Sequence, residues 1–185
     1  MNIDSSYHIN SMPSEVMLSI SEYLEPSDIG RYKRTSKKSN QSLNFRVSAN
    51  ASSTANNLRN FHDYPGREEW NKTKRCADLG KFPRNTHTAW LSFNGVDQGW
   101  GNRKGRIYIS ESEVPFPSDN NEECGKLITT SPTFEHKPRN YVLKFRPKQD
   151  KFYAVSYHVG GGGGHQLYMR NPVIKAATFH LDHNV

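Results

Sequence analysis

Residues 140–171 read NYVLKFRPKQDKFYAVSYHVGGGGGHQLYMRN, and the fold turns on how this stretch is read. In 140–146, Tyr141, Leu143 and Phe145 alternate with Val142, Lys144 and Arg146, so the two sets point to opposite sides of an extended chain. KFYAVSYH (151–158) and QLYMR (166–170) repeat this β-branched and aromatic texture. Between them lie five consecutive glycines, Gly160 to Gly164. Such a run costs ordering entropy and needs a reason. A phosphate-binding loop would continue into Lys-Ser/Thr and a helix. Here His165, Gln166 and Leu167 follow instead, opening another alternating stretch. The glycines therefore read as a connection between strands, permitting positive φ or the close approach of a ligand or another backbone. The expected geometry is a hairpin of sequential antiparallel strands, with Tyr157 and His165 at its bases and Trp100 close by.

Outward from this stretch, THTAWLSF (86–93), GRIYIS (105–110) and VIKAATFHLD (173–182) have the same texture, with Gly, Pro, Asn and Asp at their boundaries. No helical pattern separates them. The expectation for 86–185 is thus an antiparallel β-sandwich, jelly-roll-like, rather than a parallel α/β sheet. A second glycine-rich loop, GVDQGWGNRKG (95–105), also lies between strands. Loops of a sandwich gather at its two ends, where binding sites form. An exposed Trp100 beside Asp97, Asn102 and Arg103 suits sugar recognition: the ring stacks on the apolar face of a pyranose while the polar groups pair its hydroxyls. The expected ligand-binding set is Asp97, Trp100, Asn102, Arg103, Gly161, Gly163 and His165. The structural alternative makes Trp100 a core plug and the glycines a bulge or tight corner.

The chain has 185 residues, a mean hydropathy of −0.86 and a net charge of +7. Residues 1–46 hold six Lys/Arg and five Asp/Glu, so +6 of that charge is spread over the rest. A diffuse basic surface of this kind gives only weak support to nucleic-acid binding. No apolar stretch approaches the roughly 18 residues of a membrane span, so no membrane partner is expected. The N-terminus has no basic patch followed by an apolar run, and Cys76 and Cys124 make no metal pattern. The default location is the cytoplasm, with the nucleus open, and the thiols reduced. His180 and His183 would face opposite sides of a strand. There is no serine elbow and no Cys–His arrangement. Neither catalytic residues nor a metal or cofactor are expected.

Residues 48–60 are small and polar, a linker composition, and the segment around Cys76 reads as a short helix ending at Gly80, so 47–85 is expected as linker and irregular or helical chain. The N-terminal segment 8–46 differs. In MPSEVMLSISEYL (12–24), Pro13 suits a first helical turn, and Val16, Ile20, Tyr23 and Leu24 form one apolar face. Glu25-Pro26 ends that helix, and Ser27 and Asp28 cap a second, basic one.

The order Met12-Pro13, Glu15, Val16, Ile20, Tyr23-Leu24, Pro26, Asp28-Ile29 and Thr35-Ser36-Lys37 resembles the F-box, over about 30 of the 185 residues. The resemblance implies an α+β chain, a short helical motif followed by the β domain. It also implies docking on the adaptor subunit of a cullin-type (SCF) ubiquitin ligase through Met12, Pro13, Val16, Ile20, Leu24 and Ile29. The β domain would then present a protein or glycan target, a layout similar to F-box proteins with a jelly-roll-type substrate domain. A second reading comes from Gly30 and the missing Trp after the Ser-Lys segment. It is a structural or assembly protein that keeps the hairpin as a packing element, with Val16, Ile20 and Leu24 buried. Nucleic-acid binding ranks third.

Overall fold

The computed structural model describes residues 44–49, 58–69, 71–84, 86–99, 102–160 and 165–180. The F-box-like residues Met12, Pro13, Val16, Ile20, Leu24 and Ile29 lie outside these, as do Trp100, Gly161 and Gly163. The described chain is almost entirely β: β1 (Asn44–Ala49), β2 (Phe61–Asp63), β3 (Thr73–Gly80), β4 (Thr86–Asp97), β5 (Arg106–Ser112), β6 (Lys126–Thr130), β7 (Arg139–Phe145), β8 (Phe152–His158) and β9 (Leu167–His180), with one 3-10 turn at Arg67–Glu69.

These strands form two antiparallel sheets. The first has the order β1-β9-β4-β7, with β2 also paired to β9; the second has the order β3-β8-β5-β6. From β2 onward the chain changes sheet at every connection except β5 to β6, which is the jelly-roll pattern. The alternation read in 140–146 is realised: Leu143 and Phe145 are buried in the core and Val142 is exposed. In β8, Tyr153, Val155 and Tyr157 enter the same core. Aromatic rings bridge the sheets: Phe82 meets Tyr153 at 5.4 Å and Phe145 at 5.5 Å, and Phe61 of β2 meets Tyr157 of β8 at 4.3 Å.

Three expectations are corrected. The stretch around Cys76 is strand β3, not a helix, and its register shifts between Arg75 and Ala77. That bulge lets a polar, charged sequence alternate against the core. The sandwich therefore draws β2 and β3 from chain that reads as linker, and β1 from across the boundary between the helical motif (8–46) and that linker. Strands 166–170 and 173–182 are one strand, β9, because Asn171 (φ 50°) and Pro172 are absorbed opposite Phe93 between the pairs Asn94–Arg170 and Ser92–Val173. Finally, β8 and β9 do not pair. They belong to different sheets, so the glycines span the gap between the layers and are not a hairpin tip.

Candidate functional site

The registers place four layer-crossing connections at one end of the sandwich. Asp63 and Asp97 both pair with Leu167, Gly95 pairs with Arg139, and Thr73 and Arg106 both pair with His158. The connections β2–β3, β4–β5, β6–β7 and β8–β9 thus emerge together. Both glycine-rich loops are among them, and they touch. Gly160 has φ +94°, and a Cβ there would lie 2.5 Å from Lys104 Cβ. A Cβ on Gly105 would lie 2.7 Å from Leu167 Cδ1. At Gly160 glycine is required both by backbone conformation and by the neighbouring loop; at Gly105 it leaves room for the Leu167 side chain.

Asp97 is almost fully buried, and its carboxylate works within its own loop. Oδ1 accepts from the Gln98 N–H (2.7 Å), and Oδ2 accepts from the N–H groups of Lys104 (3.0 Å) and Gly105 (3.4 Å). The residue ties both ends of 98–104 together. Asn102 is exposed. Arg103 is half-exposed and ion-paired with Glu135 of the β6–β7 connection. His165 is buried, and its Nδ1 has no hydrogen-bond partner. Tyr157, expected at a loop base, is instead in the core, where burial and a hydrogen bond with Asp63 push its hydroxyl pKa upward. His158 sits at the same end. Burial, then the Arg106 charge, push its pKa below 6.5.

The structure adds a groove of about 310 Å³ on the outer face of the first sheet, lined by Ser92, Phe93, Asn94, Asn140, Tyr141, Val142 and Asn171. Asn94 and Asn140 face each other across β4 and β7, with Nδ2 of Asn94 donating to Oδ1 of Asn140 at 3.2 Å. Asn171 reaches the same groove from the β9 bulge. Two rows toward the crossover end, Tyr168 stacks on His62 at 4.1 Å, and the Arg170 guanidinium stands 5.5 Å from the Tyr168 ring. The groove is uncharged and rich in amides, each offering both a donor and an acceptor. That chemistry suits hydroxyls or peptide groups. Sequence reasoning missed it because the three asparagines lie in separate strands and meet only through cross-strand register. Among the described residues, no three His, Cys, Asp or Glu side chains are grouped to hold a metal ion.

Fold and surface together define a jelly-roll β-sandwich with a polar groove beside its crossover loops. No protein-family model matches the chain, and no curated protein matches it. Among solved structures it is similar to the CBM36-1 domain of a multidomain xylanase from the hindgut metagenome of Trinervitermes trinervoides. The TM-score is 0.37 at 10% identity, covering 72% of this chain and 96% of that one. At that level of likeness nothing about ligands or residue roles passes from one protein to the other.

Proposed function

We propose that this chain is a binding protein without chemistry of its own: a substrate receptor whose sandwich takes a glycan or an extended peptide, and whose F-box-like segment joins an SCF-type adaptor. The observation that carries the binding half is the amide-lined groove next to the two touching glycine loops. Asn94, Asn140 and Asn171 would pair the polar groups of the ligand. Arg103, Asn102 and the bare amides of the glycine loop would contact whatever extends past the end of the sheet. Asp97 would act indirectly, by holding loop 98–104 in shape. The adaptor half rests on the order of residues 12–37.

The two halves are tested separately with the full chain. For the first, binding to immobilised neutral oligosaccharides and to peptides is measured for the unmodified chain and for Asn140→Ala. Losing one amide should weaken binding about fivefold, corresponding to roughly 1 kcal/mol per hydrogen bond. Gly161→Val with Gly163→Val should abolish binding while cooperative melting survives. No binding to either ligand class removes this half. For the second, a pull-down with the adaptor subunit at micromolar concentration decides; absence of binding ends it.

A further inference from the structure

The two faces of the first sheet differ in charge. Its strands contain two acidic residues, Asp63 and Asp97. Both pair with the core residue Leu167, so both point inward. Asp97 accepts from its own loop, and Asp63 meets the Tyr157 hydroxyl. The charged side chains that point outward from β4, β7 and β9 are all cations: Lys144, Arg170 and Lys175. Toward one end this outer face is closed. Trp90, which points outward between the core residues Ala89 and Leu91, is fully buried, and its indole Nε1–H makes no hydrogen bond. Toward the crossover end it is open.

In the open part, Arg170, Asn94 and Asn140 stand side by side in one row across β9, β4 and β7. The row is about 10 Å long, two strand spacings, and its two asparagines line the amide groove. Arg170 and Asn140 are exposed and Asn94 is half-buried. The Arg170 guanidinium stands 5.5 Å from the Tyr168 ring. That ring is itself fixed, stacked on His62 and donating its hydroxyl to Gln166 Oε1 at 2.7 Å. A ring neighbour takes none of the guanidinium N–H donors. The bond from Asn94 to Asn140 uses one amide N–H and one carbonyl oxygen. What remains is the whole donor set of Arg170 and most of the amide N–H groups, against the uncommitted carbonyl of Asn94. The row is rich in donors and poor in acceptors.

We propose that the ligand of the amide groove is an acidic glycan, one whose sugars carry carboxylates. A uronate carboxylate sits on Arg170, and the neighbouring hydroxyls sit on Asn94, Asn140 and Asn171. The inference rests on reading the groove as a binding site and adds the charge of what it binds. A carboxylate supplies the acceptors that the row lacks, and its two oxygens match the planar guanidinium. No acidic side chain of these strands competes for Arg170 or repels the ligand. An extended peptide fits less well. Peptides join a sheet by pairing with the backbone at an edge, with pockets for alternate side chains. The backbone of β4 is already paired on both sides, with β7 and β9. The groove offers one exposed apolar side chain, Val142, and otherwise amides and a hydroxyl beside half-covered rings. Sugar hydroxyls both donate and accept, so they use the Asn94 carbonyl and the amide N–H groups alike.

The test uses the full chain. The probes are soluble oligomers of galacturonate and of glucuronate, each beside its methyl ester, which keeps the hydroxyls and removes the charge. Calorimetry should show the parent chain binding at least one free acid about tenfold more tightly than its ester, the worth of one charge-assisted hydrogen bond. Arg170→Gln should remove that preference. Lys126→Gln, on β6 of the other sheet, removes the same charge and should keep it. Both side chains are exposed, so both variants should melt as the parent does. Equal affinity of the parent for acids and esters would overturn the acidic ligand and leave the glycan reading standing. A preference that survives Arg170→Gln, or that falls equally in both variants, would overturn the assignment to Arg170. Polyglutamate bound as tightly as the uronates would make the ligand an acidic peptide and overturn the glycan. Binding of neutral peptides but of no sugar would do the same. Binding of none of these probes would remove the groove as a site, and the proposal with it.

Discussion

Each sheet of the sandwich has a face turned away from the core, and the chain treats the two faces differently. The second sheet is roofed by its own β5–β6 connection, residues 113–125, which crosses from β6 to the free edge of β3. Its anchors converge on Arg75. Nε of Arg75 pairs with Asp78 at 2.7 Å, Nη1 donates to the Glu123 carbonyl at 2.6 Å, and Nη2 donates to the Pro117 carbonyl. The guanidinium carbon lies 5.0 Å from the centre of the Phe116 ring. The Arg75 N–H donates to the Asn121 carbonyl at 2.7 Å, and Cys124 Sγ approaches the Thr73 carbonyl at 3.3 Å. Under this roof Ala154 and Ser156 are buried although they face away from the core. The first sheet has no such strap among the described residues. One half of its face is an open amide groove, and the other is buried around an indole with an unused N–H. A face closed by satisfied polar anchors is closed permanently.

The largest expected effect comes from breaking the strap. Arg75→Met keeps the stem but strands the Pro117 and Glu123 carbonyls in a partly buried site and removes an ion pair, which should cost about 2 kcal/mol. Chemical denaturation should show a lower midpoint at unchanged slope. A loss below about 1 kcal/mol would mean that the strap is held by other contacts. The matching change on the other face should be mild. Trp90→Phe removes an N–H that has no partner, so the volume lost is offset in part, and stability should change by about 1 kcal/mol or less. A loss as large as that of Arg75→Met would show that the indole face is as permanently closed as the strapped one.

The contrast also sorts what the sequence could show. Strands β4, β5, β7 and β8 are legible from their β-branched and aromatic texture, and β9 is legible as two stretches because Asn171-Pro172 breaks its pattern. Strand β3, TKRCADLG, was not. Its Lys74 and Arg75 are buried against partners far along the chain, Lys74 beside Glu69 at 2.7 Å and Arg75 beneath the strap, so its pattern looked polar. Strand β2 has three residues and β6 five, too few for a period to register. The two glycine loops do meet, with Gly160 against Lys104, but their geometry is not legible in the sequence. Sequential strands with a glycine run between them suit a hairpin and a layer crossing equally well, and only the pairing of β8 with β3 and β5 decides. Of the ligand set, Asp97 illustrates the limit. An acidic residue among glycines has the same appearance whether it faces a ligand or, as here, accepts from its own loop.

The smallest effect is one of pH, at the margin where the strapped face meets the crossover end. His158 pairs with Thr73 and Arg106 across the ends of β3 and β5. Burial and then the Arg106 charge hold its folded pKa below the ordinary 6.5. As pH falls through 6.5, the unfolded chain takes up a proton at this residue before the folded chain does, so protonation favours unfolding. The stability contributed by keeping His158 neutral is complete above 6.5. It falls as pH drops from there toward the lower folded value, and it loses nothing more once both states are charged. Stability measured by denaturation between pH 7.5 and pH 5 should therefore decline more steeply in the parent chain than in His158→Gln, which cannot titrate. Equal slopes would mean that the imidazole is as free to protonate in the folded chain as in the unfolded one. The ring would then reach water despite its place at the edge of the strap.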